Sequence, residues 1–405
     1  MIFDSIIDRR GTNCEKWNRD SIERIAANRD AEPFWVADMD FPADEHIRAK
    51  ALEVAASGTF GYPSFDSIES SFLSWIGRRH SWDPGIESIL FTNGLLNGIA
   101  LTIDTITEPG DSILIPTPAY KPFYMLAMWN DRNIVNHRLG YENGRFFLDR
   151  ERFRKDAEKS SLILFCSPHN PSGMVFTESD LAFVLTTAKE LGIPVLSDEI
   201  HADLVHPGFN HIPMGKANEA IGAEAITFMA PSKTFNIAGE HSGFAVFSNP
   251  ETKRKVGKRQ HALWIAEPGY MVGELLQSAY SEGLEYNRKL CAYLGGTADM
   301  MREYLERECP EIRLVNAEAS FVAFLDCSSV LERVKAREDA DPERYQGGRS
   351  GGVLSRFFGA EASVAMNDGS WFGEGYEGFV RFNYGTSRDR VMKALERMAG
   401  AVRSL

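Results

Sequence analysis

Ser232-Lys233-Thr234-Phe235-Asn236 stands one proline after an apolar run, Ala225-Ile226-Thr227-Phe228-Met229-Ala230, that has the length and composition of a buried strand. A lysine delivered there by a strand loses water. Burial lowers the pKa of an amine towards neutrality, which frees it to form a Schiff base with an aldehyde cofactor. The other reading is a surface lysine opening a helix, the commoner fate of a lone lysine.

Two upstream segments favour the first reading. Pro194-Val195-Leu196-Ser197-Asp198-Glu199 puts a carboxylate at the end of a second apolar strand, where Asp198 can pair with a pyridine nitrogen. Leu162-Ile163-Leu164-Phe165-Cys166-Ser167-Pro168-His169-Asn170-Pro171-Ser172-Gly173 runs from a strand into a Pro/Asn/Gly turn, where Asn170 can meet a phenolic oxygen. Asn170 precedes Asp198 by 28 residues, and Asp198 precedes Lys233 by 35.

In this order and spacing, Asn-Pro-x-Gly, Ser-Asp-Glu-Ile and Ser-Lys-Thr-Phe-Asn resemble the blocks of fold-type I pyridoxal phosphate enzymes, aminotransferase class I/II. The resemblance implies an α/β fold: a large domain with a mostly parallel central sheet flanked by helices, and a smaller α+β domain. It implies that Lys233, Asp198 and Tyr120 are catalytic. Tyr120, in Pro116-Thr117-Pro118-Ala119-Tyr120, would stack on the pyridine ring; a core tyrosine is the alternative. Thr92-Asn93-Gly94-Leu95-Leu96-Asn97-Gly98 follows a strand and opens an apolar helix, so Gly94, Leu95 and Leu96 would present backbone N–H groups to the phosphate, with Ser232 beside them. Without the family order, that glycine turn reads as structural.

For the substrate carboxylate, a guanidinium offers two parallel hydrogen bonds. Gly378-Phe379-Val380-Arg381-Phe382-Asn383 is similar to the family's late arginine-bearing strand, making Arg381 the candidate over an ordinary ion pair. Asp8-Arg9-Arg10-Gly11-Thr12-Asn13-Cys14-Glu15-Lys16-Trp17, Trp35-Val36-Ala37-Asp38-Met39-Asp40-Phe41 and Ser197-Asp198-Glu199-Ile200-His201-Ala202-Asp203-Leu204 resemble the MalY/PatB-type C–S lyases, which are cystathionine β-lyase-like. That likeness spans nearly the whole chain. It implies that His201 replaces the usual tyrosine at the phenolic oxygen, that Ala37 offers a backbone N–H to the substrate, and that Tyr62 reaches the phosphate of a neighbouring subunit in a homodimer. His241 departs from the phosphate-binding arginine of many aminotransferases eight residues past the lysine.

The expected reaction is β-elimination. Lys233 would take the α-proton, Asp198 would keep the ring nitrogen cationic, and a cysteine thioether such as cystathionine would give a thiol, pyruvate and ammonia. Transamination between an amino acid and a 2-oxoacid is the rival, because it shares the early steps. A regulatory or scaffold protein on the same fold is a lesser alternative, since Lys233, Asp198, Asn170 and Arg381 are all present.

Composition agrees. With 405 residues, 43% of them hydrophobic, the chain has material for two domains and a large core. Its formal net charge of −13 argues against nucleic acid as a partner. No apolar stretch approaches the roughly 20 residues that span a bilayer, and Met1 to Arg10 has no signal-peptide core. Five cysteines without a CxxC pair suit reduced thiols in the cytoplasm. His201, His206 and His211 recur at five-residue intervals, a spacing that does not stack ligands on one helical face, so no metal site is expected.

Strands are expected at Ser88–Phe91, Asp111–Pro116, Leu162–Ser167, Val195–Asp198, Ile226–Ala230 and Gly243–Phe247, alternating with helices. Thr177-Glu178-Ser179-Asp180 resembles a capping box ahead of an apolar helix. Residues 1–45 would form an N-terminal segment contributing to the small domain and the active site, 46–285 the large domain, and 286–405 the small domain. Lys335 to Gly352 reads as an exposed loop or insertion.

Overall fold

The computed structural model describes residues 2–4 and 7–405. Its centre is a seven-stranded sheet in the order Ile89–Thr92, Gly243–Phe247, Ala225–Met229, Val195–Asp198, Leu162–Cys166, Ser112–Thr117, Asn133–Arg138. All run parallel except Gly243–Phe247, which is antiparallel to both neighbours. The expected α/β class and mostly parallel sheet are therefore present. One strand of this sheet was not anticipated: Asn133–Arg138 is largely polar because it lies at the sheet edge, where only His137 is buried.

Strands covered on both faces read as unbroken apolar runs, and the period of two then sorts side chains between two cores. Leu162, Leu164 and Cys166 join Ile99 and Ile103 of the helix Leu95–Ile106 on one face. Ile163 and Phe165 meet Leu181, Val184 and Leu185 of the helix Glu178–Leu191 on the other. That second helix starts at the expected capping box: Thr177 accepts from the Asp180 N–H, and Asp180 accepts from the Thr177 N–H.

Beyond the 25-residue helix Leu284–Glu308, an antiparallel sheet orders Arg313–Val315, Val322–Asp326, Phe379–Asn383 and Asn367–Asp368. The final helix, Arg388–Arg403, is capped by Ser387. The N-terminal stretch packs here, with Glu32–Pro33 paired to Val364–Ala365 and the Phe34 ring stacked on Phe382 at 4.6 Å.

The expected loop from Lys335 to Gly352 is largely ordered structure. The helix Leu331–Ala340 continues into a 3₁₀ turn at Pro342–Tyr345, and Arg356 holds Glu338 with two hydrogen bonds. Its charge density comes from a solvated helix face, and its glycines allow close approach to the N-terminal helix Arg19–Ala26: a Cβ at Gly351 would overlap the Ile25 carbonyl.

Candidate active site

In an open parallel sheet, ligands gather outside the carboxyl ends of the strands. Thr92 leads to Gly94, Thr117 to Tyr120, Cys166 to Asn170, Met229 to Lys233, and Asp198 itself ends its strand. Gly94, Tyr120, Asn170, Asp198 and Lys233, together with Ala37, Leu95, Leu96, His201 and Ser232, line one cavity of about 240 Å³. Sequence reasoning therefore named most of this wall; Asn97, Cys166, His241 and Ser242 complete much of the rest.

Lys233 donates from Nζ to the Ala37 carbonyl at 2.6 Å. Burial lowers its pKa to about 8, aided by the Arg381 charge and opposed by Asp38 and Asp198. Asp198 is 4% exposed, and its Oδ1 accepts only from the Ile200 N–H, at 3.1 Å. Burial raises its pKa to about 7, against the pull of that N–H and of Lys233. Among the described residues no cation forms an ion pair with it.

The turn after Asp198 is held from below. Glu199 accepts from the Ser197 hydroxyl, the Met214 N–H and His211 Nε2 at 2.7–2.8 Å. Asp203 takes Trp75 Nε1 at 3.0 Å and His80 Nε2 at 2.8 Å. Between these anchors His201 Nδ1 shares a hydrogen bond with Ser320 Oγ at 3.0 Å, leaving Nε2 for the cavity. Burial, with Lys233 and Arg381 adding, lowers the His201 pKa to about 3, so the ring is neutral. The three evenly spaced histidines part company: His206 meets the Ala317 and Ser320 carbonyls, and His211 meets Glu199.

Arg381 is buried. It donates to Asn170 Oδ1 at 3.3 Å, the Trp35 carbonyl at 2.9 Å and Asn367 Oδ1 at 2.7 Å, while Nε is buried without a partner. Burial lowers its pKa to about 10. Asn367, which supports Arg381, and Ser320, which supports His201, carried no signal in the sequence, because polar residues of short strands and turns gain meaning only from what they touch. Tyr120 packs edge-on to Phe123 at 5.8 Å, and burial raises its phenol pKa. Tyr62 stands apart: it is 95% exposed and lies outside this cavity.

Pyridoxal phosphate suits these donors. Asp198 is a buried carboxylate short of a cationic partner, and Ser242 Oγ in the same wall is buried without one. Gly94, at φ +92°, opens the helix with no side-chain cap, which leaves N-terminal N–H groups for an anion. A Cβ on Gly94 would stand 3.4 Å from His241 Nδ1, so the histidine flanks the same turn.

Residues 34–398 match the model of the family described as aminotransferase class I and II. The chain is 30% identical to the cystathionine β-lyase PatB of Bacillus subtilis, over 99% of this chain and 100% of that protein. Among solved structures it is similar to a PLP-bound C–S lyase from Staphylococcus hominis, with a TM-score of 0.87, 28% identity, and coverage of 99% and 97%. A PLP-bound aminotransferase, named as such provisionally, from Clostridium difficile 630 superposes with a TM-score of 0.90 at 27% identity, covering 99% of each chain. The match to one family model across most of its length, on a fold that carries the Asn170, Asp198 and Lys233 blocks at strand ends, means that the chain belongs to the aminotransferase class I and II family.

Proposed function

We propose that this protein is a pyridoxal phosphate-dependent carbon–sulfur β-lyase that cleaves cystathionine or a related cysteine thioether to a thiol, pyruvate and ammonia. The observation that carries the reading is Lys233: an amine with its pKa lowered to about 8, in one cavity wall with the buried Asp198. Full-length similarity to the PatB cystathionine β-lyase favours elimination over transamination.

Bound here, the cofactor supplies an electron sink for the α-carbon of an amino acid. Among the described residues Lys233 is the only lysine in the cavity wall, and it would serve as the Schiff-base residue and as the base for the α-proton. Asp198 would keep the proton of the ring nitrogen, Asn170 and the neutral His201 would hold the phenolic oxygen, Tyr120 would stack on the ring, and Gly94, Leu95, Leu96 and Ser232 would hold the phosphate. Arg381, with Nε free and its other nitrogens engaged, takes the substrate carboxylate, helped by the Ala37 backbone.

The same reading makes the protein a cytoplasmic homodimer in which Tyr62 completes the phosphate site of the partner subunit. The exposure of Phe60, Tyr62 and Trp264 in the single chain supports that. It divides the chain into an N-terminal segment at 1–45, a cofactor domain at 46–285 and a small domain at 286–405. The larger sheet, between residues 89 and 247, and the smaller one, between 313 and 383, support those boundaries.

The test is to incubate the holoenzyme with L-cystathionine, without a ketoacid, and follow pyruvate and free thiol. Equal yields of both, abolished in Lys233→Ala, are expected. Turnover that starts only when a ketoacid is added, with no thiol released, would replace the lyase with an aminotransferase.

A further inference from the structure

The stretch from Trp35 to Phe41 crosses the active site as a strap with almost no regular pairing of its own, yet its carbonyls are nearly all taken by side chains. Arg381 holds Trp35, Asn383 holds Val36, Lys233 holds Ala37, and Lys16 and Asn383 hold Asp38. Arg9 and Asn236 hold Met39, and Asn236 also holds Phe41. Buried or half-buried backbone must find partners, and here the partners come from three separate parts of the chain. Two of them, Lys233 and Arg381, belong to the catalytic set.

Asn236 is the tightest of these staples. Its Oδ1 accepts from the Met39 N–H at 3.0 Å, while Nδ2 donates to the Met39 carbonyl at 2.9 Å and the Phe41 carbonyl at 2.8 Å. Only an amide, carrying an acceptor and a donor on one flat group, makes all three bonds. Its backbone is left-handed, at φ +55°, a conformation that asparagine tolerates better than most residues. Asn236 also lies three residues past Lys233, so one short turn joins the strap to the reacting amine.

We propose that Asn236 is a positioning residue that registers the Ala37 segment against Arg381 and Lys233, and thereby sets recognition of the substrate carboxylate. The inference rests on the proposed amino-acid substrate. It requires that losing the amide weakens ligands carrying an α-carboxylate and spares amines lacking one. Two variants keep the left-handed backbone accessible. Asn236→Gly deletes the amide, and Asn236→Asp keeps the acceptor but removes both donors.

The experiment uses full-length holoenzyme and titrates L-alanine and ethylamine while following the absorbance of the bound cofactor. With the loss of two net hydrogen bonds at about 1 kcal/mol each, half-saturation by L-alanine rises about 30-fold in Asn236→Asp, while that by ethylamine changes less than about threefold. With a thioether substrate the loss falls on KM rather than kcat. Hydrogen exchange in a peptide covering residues 35–41 speeds up in both variants. Equal weakening of both ligands, or of neither, overturns the proposal, as does unchanged exchange. If the parent releases no thiol from any thioether while the discrimination between L-alanine and ethylamine holds, the lyase reading falls and the role of Asn236 stands.

Discussion

Replacing Asp198 with Asn should make the cofactor-free protein more stable above neutral pH while removing its activity. Asp198 is 4% exposed and has one hydrogen bond, from the Ile200 N–H. Its pKa is raised from 3.8 to about 7, chiefly by burial. Between those values the folded protein retains a proton that the unfolded chain has released, so stability falls as pH rises through this window. Each pKa unit is worth about 1.4 kcal/mol, so the full shift amounts to roughly 4 kcal/mol at pH 8. Asn removes that penalty and keeps an oxygen for the Ile200 N–H, but it buries an amide donor at a cost of about 1–2 kcal/mol. A net gain of about 2–3 kcal/mol remains at pH 8, vanishes near pH 5 where the two terms cancel at about 1–2 kcal/mol, and turns into a loss at lower pH. The assay is urea unfolding of both cofactor-free proteins from pH 5 to 8, comparing midpoints at equal slope. A difference in stability that is the same at pH 5 and pH 8, or an Asn variant less stable at pH 8, would refute the assignment of a strained, cation-seeking carboxylate. In the holoenzyme the variant should lose at least about 100-fold in kcat, because the ring nitrogen then has no anion to keep its proton.

Three further outcomes follow from the same geometry. Arg381→Lys keeps the charge but loses the planar fork, so kcat/KM should fall about 100- to 1000-fold while the cofactor absorbance persists; a loss under fivefold would remove Arg381 from carboxylate binding. Because a base must be unprotonated and the Lys233 amine has a pKa of about 8, kcat should rise with pH and level off above that value; a flat profile between pH 6 and 8 would exclude this amine as the rate-controlling base. Tyr62→Ala should leave a dimer that binds pyridoxal phosphate about 10- to 100-fold more weakly, the worth of one hydrogen bond to a charged group, and analytical ultracentrifugation with a cofactor titration checks both; a fully active monomer would sink the shared-site reading.

The blocks around Asn170, Asp198 and Lys233 were legible because each sits where a fully buried strand ends, and such strands announce themselves as apolar runs closed by a turn. The strand Asn133–Arg138 was missed for the opposite reason: an edge strand has no second core to fill and needs no apolar run. Lys335 to Gly352 looked like a loop because its helix is charged along its exposed face, while its attachment depends on the close approach of Gly351 to the sequence-distant Ile25 and on Arg356 holding Glu338. Asn236 lies only three residues past Lys233, and nothing local distinguishes it from a turn asparagine.

By itself, then, the sequence determined the class of fold and the order of the strand-end residues, because periodicity and turn composition are local properties, and its resemblance to the family's blocks singled out Lys233, Asp198 and Arg381 as the lysine, acid and arginine available for chemistry. Tertiary structure alone decided their states. Burial brought Lys233 and Asp198 to pKa values near neutrality, packing left Arg381 Nε without a partner, and the strap from Trp35 to Phe41 found its hydrogen bonds among side chains up to 347 positions away. Desolvation and hydrogen-bond satisfaction depend on what surrounds a group in space, and adjacency along the chain does not supply that.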